Sequence, residues 1–269
     1  MNETMKLLND LEIPTIGYGT WLVPNQDAPM LVKTALDAGY RHIDTAQAYE
    51  NEEGVGLGLK ISFLPREEVY ITSKVKAEIK NYKEAKASID ASLARLGVEY
   101  IDLMLIHCPQ PWHLYGTEYR YEKENLAVWK ALEEAYAEGK VKAIGVSNFN
   151  VHDLENIINN SKIKPMVNQI KVHPGCTPMD IIEFCQKEGI VVESYSPIAH
   201  GRALTNPELM KMAEKYHVSV AQLCIKYTLQ LGTVTLPKAS SKEHIEANID
   251  LNFNIEYEDM KVLKDFPSI

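Results

Sequence analysis

Short apolar runs rich in strand-forming residues alternate along this chain with longer segments of helical periodicity. Eight runs are candidate strands, at about residues 15–20, 40–44, 69–73, 101–106, 143–147, 166–170, 190–195 and 233–236. Seven of them lead at their C-terminal ends into polar side chains suited to chemistry or ligand binding: Asp44, Lys74, His107, Ser147, Gln169, Tyr195 and Lys238. In a (β/α)8 barrel the C-terminal ends of the strands converge on one face, where the loops build the site. The pattern therefore predicts an α/β fold, a (β/α)8 TIM barrel, with its functional residues at that face.

The segments outside these runs fit the same fold. Two stripes of apolar residues three or four positions apart are Ala85, Ile89, Leu93 and Leu96, and Leu126, Trp129, Leu132 and Tyr136. Gly97 and Gly139 follow the two stripes as candidate helix C-caps. Near the start, KLLND followed by LEIP predicts an N-terminal β-hairpin that turns at Asn9 and Asp10 and plugs the barrel. No linker-like segment interrupts the pattern, so we expect residues 1–269 to form a single domain.

Composition argues against several classes of partner. The net charge of −9 and the pI of 5.4 argue against binding to nucleic acid, which needs a basic surface. No run approaches the roughly 18 apolar residues of a membrane span, and the charged N-terminal residues do not resemble a signal peptide. The four cysteines have no metal-ligand spacing and are interpreted as reduced thiols. We expect a cytoplasmic monomer or weak oligomer that acts on a small molecule without a metal, nucleic acid or membrane.

Four of the polar residues could act together in proton transfer. Burying Lys74 at a strand end is costly unless it is paired, and Asp44 at another strand end is the natural partner. These two residues alone fit a structural ion pair equally well, and a lone His107 fits a hydrogen-bonded core residue. Tyr49 changes the interpretation because a lysine cation and a histidine beside it would stabilise its phenolate and make the phenol a usable acid.

Seven segments of the sequence resemble the aldo-keto reductase family: DTAQAYENE, TSK, LIHCP, GVSNF, NQIKVHP, YSPIAHGRAL and LPKASSKEHIEAN. They occur in the family's order, from GYGTW near residue 17 to Asn248, and bacterial short-loop members, which include diketo-gluconate and methylglyoxal reductases, look most similar. The resemblance implies an NADP(H)-dependent oxidoreductase that reduces an aldehyde or ketone to an alcohol by hydride transfer. It also implies that the cofactor lies across the C-terminal mouth of the barrel.

The resemblance also assigns roles to residues. It makes Tyr49 the general acid, Lys74 the group that lowers the pKa of Tyr49, Asp44 the partner of Lys74, and His107 the donor that orients the carbonyl. The implied cofactor-binding residues are Gly19, Thr20, Asp44, Ser147, Asn148, Gln169, Tyr195, Ser196, Pro197, Ile198, Arg202, Lys238, Ala239, Ser240, His244 and Asn248. The implied substrate pocket consists of Trp21, Tyr49, His107 and Trp112.

Several positions depart from the family pattern. His244 stands where an arginine usually contacts the adenosine 2′-phosphate, and Ala239 replaces a serine or threonine after Lys238. These changes predict that NADP(H) is preferred by a narrower margin than is usual and that NADH is accepted. Lys171 replaces a common glutamate, and Cys108 follows His107 where many members have tryptophan.

Two other functions remain open at this point. One is a protein that binds NADP(H) as a sensor or partner subunit without turnover, although such a protein has no need of the proton donor Tyr49. The other is a barrel aldolase that uses Lys74 as a Schiff-base amine. A lysine paired with Asp44 would stay protonated, which makes it a poor nucleophile.

Overall fold

A closed ring of parallel strands forms the centre of the computed structural model, which describes residues 3–269. Two short strands, β1 (Thr4–Lys6) and β2 (Glu12–Pro14), precede the ring. The ring consists of β3 (Tyr18–Gly19), β4 (His42–Asp44), β5 (Tyr70–Val75), β6 (Ile101–Ile106), β7 (Val141–Ser147), β8 (Val167–Lys171), β9 (Val191–Tyr195) and β10 (Val234–Leu236). Each ring strand pairs in parallel with the next one in sequence.

The ring closes between its last strand and the residues just before β3. Thr235 N donates to Thr15 O at 2.8 Å, and Gly17 N donates to Thr235 O at 2.9 Å. Gly19 N likewise donates to Pro237 O, while on its other side the same run pairs with β4 and Thr20 N donates to Asp44 O. The run predicted at 15–20 therefore has a hydrogen-bonded neighbour on each side, and within it β3 spans Tyr18–Gly19. The predicted (β/α)8 barrel is confirmed.

Helices cover the outside of the ring. They are α1 (Ala28–Ala38), α2 (Glu52–Ser62), α3 (Tyr82–Leu96), α4 (Glu122–Ala137), α5 (Val151–Asn160), α6 (Met179–Glu188), α7 (Pro207–Lys215), α8 (Val220–Gln230), α9 (Lys242–Ala247) and α10 (Tyr257–Lys264). Among residues 3–269, no helix is long and apolar enough to cross a membrane. Because each helix that follows a strand begins at the mouth and returns to the opposite end, the loops at the mouth are the connections that leave the strands.

The two helical stripes in the sequence lie against the barrel wall. Ala85, Ile89 and Leu96 of α3 are buried, and Gly97 ends this helix with φ 65°. In α4, Trp129 is completely buried and donates from Nε1 to Ile163 O at 3.0 Å. Burying apolar side chains of this size stabilises the fold by about 1.5–3 kcal/mol each.

The N-terminal hairpin covers the end of the barrel opposite the mouth. β1 and β2 are antiparallel, and Asp10 in their connection has φ 67°, a backbone conformation that aspartate tolerates better than most residues. Leu7 and Ile13 are buried. Asn9 donates from Nδ2 to Lys142 O, at the N-terminal start of β7. The predicted hairpin plug is therefore present, and its placement leaves the mouth open.

We expect Gly56→Ala to destabilise the fold, although alanine normally favours a helix interior over glycine by about 0.8–1 kcal/mol. A Cβ at position 56 of α2 would lie 2.2 Å from Leu96 O at the end of α3. Since this neighbour is backbone, overpacking should cost about 1–3 kcal/mol in the free energy of unfolding. Urea unfolding of Gly56→Ala and of Lys60→Ala, an exposed position on the same helix, measures the effect. A gain in stability in Gly56→Ala would contradict the close approach of α2 and α3.

Candidate active site

The buried ammonium of Lys74 lies at the centre of the barrel mouth. Its Nζ donates to Oδ1 and Oδ2 of Asp44 at 2.7 and 2.8 Å, to Thr45 O at 2.9 Å and to Tyr49 Oη at 3.2 Å. Burial alone would lower the pKa of Lys74, but Asp44 and Tyr49 outweigh it, so the pKa lies above its ordinary value. Lys74 is therefore a cation at neutral pH, placed between a carboxylate and a phenol.

Tyr49 reaches this cation from a short 3-10 turn after β4. The turn spans Gln47–Tyr49 and is held in place by Gln47, which is buried and donates from Nε2 to Ser92 Oγ at 3.0 Å. Burial raises the pKa of Tyr49, and Lys74 opposes this effect only in part. The lowering by Lys74 that the sequence predicted is thus present but smaller than the effect of burial. Tyr49 remains a protonated phenol at neutral pH.

His107 lies beside Tyr49, directly after β6. Its backbone N–H donates to Val75 O at 3.1 Å, and its ring meets those of Tyr49 and Trp112 edge-on, with centroids 5.5 and 5.3 Å away. Burial and, to a smaller extent, the charge of Lys74 lower the pKa of His107 well below its ordinary value. The ring is therefore neutral. Its Nδ1 is buried and has no hydrogen-bond partner among residues 3–269.

Four polar residues at the ends of β7, β8 and β9 form a hydrogen-bonded row next to these groups. Tyr195 Oη donates to Asn148 Oδ1 at 2.8 Å, and Asn148 Nδ2 donates to Ser147 Oγ at 3.1 Å and to His107 O at 3.0 Å. Ser147 Oγ in turn donates to Gln169 O at 2.9 Å. Asn148 adopts φ 63°, which asparagine tolerates better than most residues. The row fixes one wall of the mouth.

A second polar group lies deeper in the barrel, and the sequence did not single it out. Gln169 Nε2 donates to Asp44 Oδ1 at 2.9 Å and to Glu193 Oε2 at 2.8 Å, while Glu193 Oε1 is 3.5 Å from His42 Nε2. Burial raises the pKa of Glu193 to about 8, and burial lowers the pKa of His42 to about 3. The two are thus a neutral pair near pH 7 and not an ion pair. The available signal was an ionisable residue inside an apolar strand run, in IVVES and in YRHI.

The remaining predicted residues lie around the mouth and not against Lys74. Thr20 is buried and donates from Oγ1 to Asp44 O, so it holds the backbone at the end of β4. Trp21 and Trp112 are 45% and 41% exposed, and Trp21 packs edge-on against His200 at 5.1 Å. Both indoles lie on loops at the rim of the mouth, and the ring of Trp112 meets that of His107 edge-on.

The predicted adenosine end and the loop predicted near the pyrophosphate follow β10 and β9. Gly19 donates its N–H to Pro237 O, and Lys238 Nζ donates to Ser240 Oγ at 2.8 Å. The members after β10 are Lys238, Ala239, Ser240, His244 and Asn248, and those after β9 are Ser196, Pro197, Ile198 and Arg202. His244 is exposed on α9, whereas Ala239 is buried and accepts from Tyr18 Oη at its carbonyl oxygen.

Comparisons with known proteins identify the family to which this closed barrel belongs. The model of the aldo/keto reductase family matches residues 15–266. The glyoxal reductase of Bacillus subtilis is 44% identical over 262 residues, covering 97% of this chain and 91% of that protein.

Two solved structures also resemble this chain. The aldo/keto reductase of Brucella melitensis is 36% identical, with a TM-score of 0.91 over 98% of this chain and 99% of that one. The Bombyx mori aldo-keto reductase in complex with NADP is 31% identical, with a TM-score of 0.89 over 99% and 93%. The chain belongs to the aldo/keto reductase family. It is an oxidoreductase that reduces carbonyl groups with a nicotinamide cofactor, as the sequence predicted.

We expect Lys74→Met to lower the free energy of unfolding by about 3–5 kcal/mol at pH 7, because the buried carboxylate of Asp44 loses its cation. Adding Asp44→Asn should recover much of this loss, since the amide carries no charge. Chemical unfolding of the single and double variants measures both effects. Lys33→Met, which breaks an exposed pair with Asp37, is the control and should cost less than about 1 kcal/mol. Equal losses in Lys74→Met and Lys33→Met would mean that the buried pair is not a major support of the fold.

Proposed function

We propose that this chain reduces small aldehydes and ketones, with Tyr49 as the general acid and His107 as the group that orients the carbonyl. The observation that carries the proposal is the contact of one buried cation, Lys74 Nζ, with both the Asp44 carboxylate and the Tyr49 hydroxyl. A bound nicotinamide supplies the hydride. The chain must then stabilise the negative charge that develops on the carbonyl oxygen and deliver one proton to it.

Tyr49 and His107 are suited to these two tasks. Both are neutral at pH 7, and their rings meet at the mouth, so a carbonyl oxygen between them can accept hydrogen bonds without meeting a negative charge. When Tyr49 gives up its proton, the phenolate forms 3.2 Å from Lys74. Asp44 keeps Lys74 charged and in place for this step, because it accepts two of the ammonium's hydrogen bonds.

The residues at the mouth fit a nicotinamide carboxamide. Gln169 donates both of its amide hydrogens to acceptors inside the barrel. Its Oε1 accepts no hydrogen bond from residues 3–269, so this oxygen is available to accept from the carboxamide NH2. Ser147 and Asn148 would hold the same group, and Tyr195, fixed by Asn148, would stack on the ring. The residues proposed to bind the rest of the NADPH molecule are Gly19, Thr20, Ser196, Pro197, Ile198, Arg202, Lys238, Ala239, Ser240, His244 and Asn248.

The proposed substrates are small carbonyl compounds, with short-chain dicarbonyls such as glyoxal as the first to try. The Bacillus subtilis relative named a glyoxal reductase supports this choice. Trp21 and Trp112 on the rim would contact the substrate, together with Tyr49 and His107. We propose further that residues 1–269 act as one cytoplasmic catalytic domain, as a monomer or weak oligomer; the four free cysteines fit a reducing compartment.

The raised pKa of Lys74 weighs against the aldolase that the sequence left open, because a Schiff base needs the free amine. Borohydride treatment in the presence of sugar phosphates tests that alternative. A stable adduct at Lys74 would support the aldolase and overturn the reductase mechanism. A sensor without turnover is tested by the consumption of NADPH with glyoxal and a panel of small aldehydes.

We expect Tyr49→Phe to reduce the kcat for a generic aldehyde by about 10²–10⁴-fold, because the developing alkoxide loses its proton donor. NADPH binding, followed by fluorescence titration, should change by no more than a few-fold. Tyr119→Phe is the matched control, since Tyr119 is exposed on the loop before α4. Turnover of Tyr49→Phe close to that of Tyr119→Phe would remove Tyr49 from the role of acid.

We expect NADPH to be preferred over NADH, with measurable NADH activity. His244→Arg should raise the ratio of kcat/KM with NADPH to kcat/KM with NADH by about tenfold, or 1.4 kcal/mol. The physical reason is that a guanidinium binds phosphate through two charged hydrogen bonds, which an imidazole cannot do. Phe63→Arg adds one charge at the opposite end of the barrel and should leave the ratio unchanged. A ratio that does not respond to His244→Arg would show that residue 244 does not face the 2′-phosphate.

A further inference from the structure

The carboxyl of Glu193 is completely buried in the barrel, one strand away from Gln169. It touches neither Lys74 nor Tyr49 by hydrogen bond, and the proposed reaction does not use it directly. It nevertheless lies in a continuous chain of contacts, in which Glu193 Oε2 accepts from Gln169 Nε2, and the same nitrogen donates to Asp44 Oδ1. Asp44 in turn holds Lys74. A buried side chain linked in this way can act on the site through its neighbours.

The two carboxyl groups determine which way the Gln169 amide faces. An amide NH2 group has two hydrogens, and both are taken by acceptors inside the barrel, at 2.9 Å on Asp44 and 2.8 Å on Glu193. If the amide were flipped, its oxygen would face the Asp44 carboxylate, which can only accept. The carbonyl oxygen of Gln169 must therefore point away from the pair. With Asp44 alone, one hydrogen would have no partner and the amide would have one anchor instead of two.

We propose that Glu193 is a positioning residue that fixes the Gln169 amide with its nitrogen toward the barrel interior and its oxygen free to accept a hydrogen bond from the nicotinamide carboxamide. This inference rests on the proposed function, since it assigns that hydrogen bond to Gln169. Glu193 touches neither cofactor nor substrate. Its effect on catalysis is exerted through Gln169 and, by the shared Nε2, through Asp44.

The neutral state of Glu193 suits this role. The titratable groups that face it from the packed strands are His42 and Asp44 on β4, Tyr70 and Lys74 on β5, and Tyr49 above them. A second anion beside Asp44 would compete with Asp44 for the only cation among these groups. Glu193 accepts from Gln169 at Oε2, and its Oε1 lies 3.5 Å from Nε2 of the neutral His42 ring.

Two substitutions at position 193 and one control separate positioning from general stability. Glu193→Gln keeps an acceptor oxygen for Gln169, whereas Glu193→Met keeps the volume and removes the acceptor. Ser194, on the same strand as Glu193, makes a buried hydrogen bond to Thr233 but none to Gln169, and Ser194→Ala removes that bond. The measurements are the Kd for NADPH by fluorescence titration, the melting temperature of the cofactor-free protein, and kcat.

We expect Glu193→Met to raise the Kd for NADPH about tenfold, Glu193→Gln to stay within about threefold of the unchanged protein, and Ser194→Ala to lower the melting temperature without changing the Kd. In a double-variant cycle, Glu193→Met should add nothing to the Kd of Gln169→Met, because its effect passes through that amide. Independent, multiplying effects in the cycle would overturn the proposal. So would a Kd that is unchanged in Glu193→Met, or one that rises equally in Glu193→Gln.

The protonation state of Glu193 can be tested separately, by an experiment that does not require Glu193→Met to fold. Because the folded-state pKa of Glu193 is raised to about 8 from an ordinary 4.5, its stabilising contribution is full below about pH 4.5 and is lost as the pH rises to about 8. The melting temperature of Glu193→Gln minus that of the unchanged protein should therefore increase between pH 5 and 8 and then level off. A constant difference would mean that Glu193 is ionised in the fold, which contradicts the proposed arrangement. These binding and melting readouts stand apart from the turnover test of Tyr49→Phe.

Discussion

The buried ammonium of Lys74 is the charge around which the rest of the mouth is arranged. An unpaired cation in a barrel interior would be costly by several kcal/mol, and the neighbouring strand offsets this cost with the Asp44 carboxylate and the Thr45 carbonyl. The three hydrogens of the ammonium are shared with a fourth acceptor, Tyr49 Oη, at 3.2 Å. One ion pair therefore stabilises the barrel interior and also decides which phenol lies next to a permanent positive charge.

The field of the same cation reaches the residues that do not touch it. Burial and the charge of Lys74 both act to keep His107 and His42 neutral, while at Tyr49 the two effects oppose each other and burial is the larger. At Glu193 burial is again the main cause, and it yields a neutral carboxyl next to the charged Asp44. A site with one cation, one anion and several neutral donors can stabilise charge that develops during a reaction, because the one resident anion, Asp44, is already paired with Lys74.

Individual residues show how much of the site could be predicted from the sequence. Asp44, Lys74 and His107 were predictable because they end apolar runs, and parallel strands bring such ends to one face. The pairing of Lys74 with Asp44 was also predictable from the cost of burying a charge. Glu193 was missed because it lies inside its run, at a position where the alternation of a strand does not distinguish a functional side chain from a packed one. The short extent of β3 within the run at 15–20 was not predicted, because the hydrogen-bond partners of a strand depend on which neighbours the closed sheet supplies.

The amino-acid sequence by itself determined the eight strands, the helices between them, the hairpin and the family, since periodicity and local motifs are properties of neighbouring residues in the chain. Only the tertiary structure decided the balance between burial and charge at Tyr49, the neutral state of Glu193 and the direction of the Gln169 amide. The physical reason is that pKa values and amide orientation depend on the distances between groups on different strands. Gln169 and Asp44 are 125 residues apart in the chain and 2.9 Å apart in the barrel.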